Sequence, residues 1–205
     1  MIEYLTYAPV ASAIFALTIL TSLIAFYNEE IYSRFMLQPY DVSRGSRIYT
    51  LITSGLIHRD WGHLFFNMLS YFFFAFTLEA NYLGHWQFAL LYVASLVLSD
   101  MPSVVKHKND IWYRSLGASG AISAVVFSYI LYNPLTRMMV FPLPIPIPAI
   151  LYGVLYLIYC AYASRRSNDS INHDAHFFGA LAGVMITIIL NHEVIGNFLR
   201  QLGVG

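Results

Sequence analysis

Charge is what this sequence has least of. Only 11% of its 205 residues are Asp, Glu, Lys or Arg, against about 25% in an ordinary soluble domain. A chain so poor in charge cannot clothe a water-facing surface. With 58% hydrophobic residues and a mean hydropathy of +0.60, its natural solvent is the bilayer. Lys and Arg total 11 and Asp and Glu total 11, so no net field draws in nucleic acid or an acidic partner. Cysteine is nearly absent too. The single Cys160 lies in an apolar run. It excludes an internal disulfide and a cysteine-built metal cage, and reads as a small buried hydrophobe. The opening "MIEYLTYAPV" lacks the basic stretch of a signal peptide. No repeat, low-complexity tail or second domain interrupts the chain, so residues 1–205 read as one membrane domain.

What is present is a series of six apolar segments, at 7–27, 61–79, 84–100, 115–133, 149–163 and 175–191, whose only charged residues are Glu79 and Asp100, closing the second and third. The first is long enough to span a hydrocarbon core of about 30 Å. The shorter ones are tolerable inside a bundle, where neighbours cover their ends and the bilayer can thin. An all-α membrane protein follows. Pro142, Pro144, Pro146 and Pro148 cannot lie inside a helix and predict a loop entering the fifth segment. The connection 28–60 mixes polar residues with Ile31, Tyr32, Phe35 and Met36, which predicts a structured, partly embedded loop.

Polar residues inside such segments are costly and should face the bundle interior. His63 and Asn67 are four apart and share a helix face. His176 is followed by Gly179 and Gly183 on nearly the same face, which lets another helix come close to the imidazole. Ser119 sits among Gly117, Ala118 and Gly120. Each site alone reads equally as packing. Alternating span directions, however, put the starts of the second, fourth and sixth segments on one side of the membrane. His63, Ser119 and His176 all lie near those starts. A serine needs a base, most often an imidazole, and a tetrahedral intermediate needs donors for its oxyanion. No embedded carboxylate stands ready to orient the base. Asp174, two residues from His176, falls on a different helix face, so a Ser-His dyad is favoured over a triad.

At this point the residues match a family. "HLFFN" (His63 to Asn67), "GASG" (Gly117 to Gly120) and "AHFFGALAG" (Ala175 to Gly183) occur in that order on segments two, four and six. With "SRIYTLITSGLIHRDWGHLFFNMLSYFFFAFTLE" leading through the second, the chain resembles the rhomboid intramembrane serine proteases over nearly its whole length. The resemblance implies a six-transmembrane-helix rhomboid-like bundle with a long structured loop between helices one and two. It implies Ser119 as nucleophile, His176 as general base and then acid, and His63, Asn67 and the Ser119 backbone N–H as the oxyanion site. Gly117, Gly120, Gly179, Gly183, Arg47, Glu79 and His58 take structural roles. The family often carries an aromatic residue four positions after the serine, packed on the catalytic imidazole. Here that position is Ser123, so Phe177, Phe178 or another aromatic must hold the ring.

The implied activity is endoproteolysis of transmembrane segments of other membrane proteins, with no cofactor and no metal, and with the lipid bilayer as the other partner. The alternative is an inactive rhomboid-like protein that binds client helices. A transporter or metal site on His58, His63, His173 and His176 is disfavoured, because no carboxylate or thiolate stands at ligand spacing inside a segment. The family places its site on the extracytoplasmic side of a multi-pass plasma (inner) membrane protein. A count of basic residues predicts the reverse. Loops one, three and five hold Arg34, Arg44, Arg47, Arg59, Lys106, Lys108, Arg114, Arg165 and Arg166, while the other side holds Arg137 and Arg200.

Overall fold

Helix α1 (Ile2–Tyr7) leads through Ala8 into α2 (Pro9–Phe26), which is apolar on all faces. Proline opens α2 where its missing N–H costs nothing. The next two N–H groups, of Val10 and Ala11, donate to the Glu79 carboxylate at 3.1 and 2.5 Å. Glu79 is wholly buried and also contacts His85 Nδ1 at 2.7 Å. Its charge thus lies against the positive end of α2. The structure, a computed structural model, describes residues 2–140, 143–166 and 171–204.

Between α2 and the next long helix, the chain folds into α3 (Glu29–Phe35), α4 (Pro39–Val42), α5 (Thr50–Thr53) and a 3-10 turn, Ser54–Leu56. Arg47 organises this connection. It takes the left-handed backbone, φ 52°, and its guanidinium donates to the carbonyls of Ser33 and Arg34, both at 2.8 Å, and to Gln38 Oε1 at 2.9 Å. Asp41 completes the arrangement as an ion pair at 3.7 Å.

Asp60 caps α6 (Trp61–Leu78) by accepting the His63 backbone N–H at 2.8 Å. A single π-helical turn, Glu79–Leu83, follows, then α7 (His85–Lys106) and α8 (Ser119–Tyr132). Strands β1 (Arg137–Val140) and β2 (Leu143–Pro148) pair antiparallel, with Arg137 opposite Pro148 and Met138 opposite Ile147. Then come α9 (Ala149–Arg166), α10 (His173–Leu190) and the short α11 (Glu193–Gln201).

The protein is mostly helical, and α2, α7 and α10 are each long and apolar enough to cross a membrane. Two sequence expectations are corrected. The predicted segment 115–133 becomes helical only at Ser119. Before it, Leu37 and Ser115 exchange backbone hydrogen bonds of 2.9 and 3.1 Å, and Gly117 N–H donates to the Ser54 carbonyl at 2.9 Å. The chain is held extended by residues far away in sequence. Second, the proline run is not an irregular loop: Pro144, Pro146 and Pro148 belong to β2. Proline is admissible there because a two-stranded ribbon is all edge. Pro142 and the loop around Asp169 lie outside the described residues.

Helix α8 is the centre of the fold, buried almost continuously from Gly120 to Ser128. Helix α10 packs on it more closely than ordinary side chains permit. A Cβ on Gly179 would fall inside the Gly120 carbonyl oxygen, and one on Gly183 inside that of Ala124. Gly120 itself faces the Ser99 side chain of α7. Small residues therefore bring three backbones together, as expected where apolar solvent supplies no hydrophobic drive.

Candidate active site

The close approach of α8 and α10 brings one hydroxyl and one imidazole together. His176 Nε2 lies 2.7 Å from Ser119 Oγ, across 57 residues of sequence. Ser119 is the first residue of α8, so its backbone N–H is among the donors a helix leaves unpaired, at the positive end of the dipole. Asp174 is occupied elsewhere. It meets Lys106 Nζ at 2.7 Å and accepts a short hydrogen bond from Ser164 Oγ, so it does not orient the imidazole.

His63 comes from the first turn of α6. Its ring lies against Gly117, where an added Cβ would sit 2.6 Å from Cε1 and 2.8 Å from Nε2. Gly117 has φ 115°, a conformation that an L side chain would strain. Both features require glycine. The Arg59 backbone N–H donates to His63 Nδ1 at 3.4 Å, which leaves Nε2 as the ring's donor. Asn67 lies one turn further on and donates from Nδ2 to the His63 carbonyl at 2.9 Å. An amide carries two N–H donors, so this bond uses only one of them.

His58 supports His63 from behind. It is fully buried, with Nδ1 2.9 Å from Ser22 Oγ and its ring edge-on to His63 at 4.9 Å between centroids. Burial first, and then the neighbouring His63, push its pKa down to about 3. It stays neutral at any physiological pH.

The aromatic ring over His176 comes from none of the residues singled out in the sequence. Tyr156 of α9 lies nearly parallel to the imidazole, at 6.3 Å between centroids and 19° between planes. Its hydroxyl is 2.8 Å from Ser123 Oγ. The serine that stands where an aromatic was expected thus holds an aromatic from another helix. Phe177 and Phe178 instead pack on each other, at 5.5 Å. Only the unfilled space implied by Ser123 signalled such a residue, and it could not say which ring would arrive.

Ser119, His176, His63, Asn67, Gly117 and Tyr156 all line one cavity of about 840 Å³. Gly120 lines it as well, and the remaining expected residues lie outside it. Arg47 orders the loop above, Glu79 anchors the opposite end of α6, and Gly179 and Gly183 set the helix spacing. The four histidines named as a metal alternative do not converge; they separate into the pairs His58–His63 and His173–His176.

A family model described as the rhomboid domain matches residues 45–193. RHOMBOID-like protein 12, mitochondrial, of Arabidopsis thaliana is 25% identical over 169 residues, covering 75% of this chain and 50% of the relative. YdcA of Bacillus subtilis, whose name assigns it provisionally to the rhomboid proteases, is 32% identical over 143 residues, covering 69% of this chain and 66% of the relative. Rhomboid protein 1, mitochondrial, of Saccharomyces cerevisiae is 29% identical over 165 residues, covering 75% and 45%. The chain thus spans between about half and two thirds of the length of these relatives. It belongs to the rhomboid family and is an integral membrane protein.

Proposed function

We propose that this protein is an intramembrane serine endopeptidase that cleaves transmembrane segments of other membrane proteins with a Ser119–His176 dyad. The observation that carries the reading is the 2.7 Å contact between His176 Nε2 and Ser119 Oγ at the first turn of α8, inside a cavity. In the reaction, Ser119 Oγ attacks the scissile carbonyl carbon as His176 Nε2 takes its proton. The oxyanion is met by the Ser119 backbone N–H, the free Asn67 N–H and His63 Nε2. His176 then passes its proton to the leaving amine, the peptide bond breaks, and an acyl-serine remains. Water entering the cavity gives a proton to His176 and hydroxide to the acyl carbon, releasing the carboxylate product and restoring Ser119. A helical substrate covers its own carbonyls, so the scissile segment must unwind, and helix-breaking residues near the cleavage point favour it.

The six apolar segments are spans of a multi-pass protein of the plasma (inner) membrane, with the cavity opening to the extracytoplasmic side. Part of the excess of basic residues on that side is bound into local structure. Arg34 pairs with Glu30 and Arg59 with Asp60, each at 2.8 Å, and Arg44 donates to the Lys108 carbonyl at 2.7 Å. No cofactor is needed for this chemistry.

One experiment tests both site and orientation. A membrane-impermeant fluorophosphonate applied to intact cells labels the wild type, while Ser119→Ala and His176→Ala lose labelling by ~10³-fold or more. Labelling that survives Ser119→Ala overturns the dyad. Labelling that appears only after the membrane is opened reverses the orientation. A well-folded wild type that never reacts returns the protein to the alternative, a binder of client helices.

A further inference from the structure

Cys160 of α9, read from the sequence as a lone buried hydrophobe, is not alone in the structure. Its thiol and one ring nitrogen each from His173 and His176 all lie within 4.8 Å of one another. Cys160 and His173 are buried, and His176 is partly open to the cavity that also reaches Asn172 beside His173. The sequence suggested no such cluster, because the cysteine stands 13 residues before His173 on a different helix.

We propose that Cys160, His173 and His176 form an inhibitory site for a borderline-soft divalent cation, with zinc as the best fit. The inhibitory half rests on the dyad reading above. One thiolate and two imidazoles are a zinc donor set that leaves a fourth position for water. Ligands at 2.0–2.3 Å around a tetrahedral ion stand about 3.3–3.7 Å apart, so a contraction of about 1 Å closes the site. The thiol gives up its proton on binding, and the thiolate halves the charge brought into the apolar surroundings. Tyr159 packs edge-on to His173 at 5.4 Å and limits how far that ring can turn.

Binding would switch off the dyad whichever His176 nitrogen is used. With Nε2 on the ion, the lone pair that takes the Ser119 proton is gone. With Nδ1 on the ion, the neutral ring must carry its hydrogen at Nε2, which then donates and cannot accept. In both cases Ser119 loses its base. The cavity is the route by which the ion reaches His176.

Cobalt(II) and zinc, added to the purified chain in detergent, test the site in two separable ways. The first readout needs no catalysis: one equivalent of cobalt should produce a thiolate-to-cobalt charge-transfer band. That band should be lost in Cys160→Ala and in His173→Gln while helical content is retained. No band in the wild type, or a band that survives either substitution, overturns the site. The second readout is fluorophosphonate labelling of Ser119. One equivalent of zinc should slow it at least ~10-fold in the wild type and leave it unchanged in Cys160→Ala. Equal labelling with and without bound metal overturns the inhibitory role. An absence of labelling without metal defeats the dyad reading and leaves the cobalt result to decide the site.

Discussion

Helices α10 and α9 each deliver one ring to the site, and they are attached to the rest of the molecule in opposite ways. Helix α10 lies on α8 through glycine, backbone against backbone, and its His176 has essentially one position relative to Ser119. Helix α9 buries only Ala149, Gly153, Cys160 and Ala163, and leaves Leu155, Ile158 and Tyr162 more than half exposed. At Gly153 a Cβ would meet side chains and no backbone, Ile130 Cδ1 at 3.3 Å and the Phe127 ring at 3.4 Å. The distance between Ser119 and His176 is thus set by rigid contacts. The ring beside His176 is held by side chains, through the hydroxyl pair of Tyr156 and Ser123 and by packing on Phe127 and Tyr152. A cavity built this way is fixed on one side and can yield on the other.

The sharpest way to break the comparison is to put the same methyl group on each interface. Gly179→Ala forces a Cβ into the Gly120 carbonyl and should cost about 3 kcal/mol, with loss of labelling. Gly153→Ala meets only side chains, Ile130 Cδ1 at 3.3 Å and the Phe127 ring at 3.4 Å, and should change stability by no more than ~1 kcal/mol. Thermal unfolding in detergent compares the two. Equal effects would mean that α9 is as tightly seated as α10.

Acid should act apart from both helices, at His58 between α2 and α6. His58 is held neutral down to about pH 3, whereas in the unfolded chain it takes a proton near pH 6.5. Between those values the unfolded state binds the extra proton, so stability falls as pH drops. The slope is about 1.4 kcal/mol per pH unit, and above about 6.5 the residue contributes no pH dependence. Unfolding measured from pH 7.5 to 4.5 should show this slope in the wild type and a flatter one in His58→Asn.

The smallest effect belongs to the yielding side. Tyr156→Phe keeps the ring over His176 and removes the bond to Ser123, a loss of about 1 kcal/mol, or ~5-fold in kcat. Tyr156→Ala should cost more, because the ring goes as well. If both variants match the wild type in kcat, α9 plays no part in positioning the base.

Much of this was legible one residue at a time. Hydropathy and the scarcity of charge depend on composition alone, and they gave the apolar segments without any knowledge of neighbours. The motif residues His63, Asn67, Ser119 and His176 were also visible, because embedded polar groups stand out against an apolar background. Whatever depended on which backbones approach each other was not legible. The late start of α8 at Ser119 follows from the pairing of Ser115 with Leu37. The ring over His176 comes from Tyr156, and Ser123 marked only the gap it fills. Cys160 joins two histidines only because α9 and α10 lie side by side. Local sequence specifies where the costly polar groups are. The glycine contacts that let helices touch decide which of those groups meet, and that distance-dependent chemistry exists only in the folded protein.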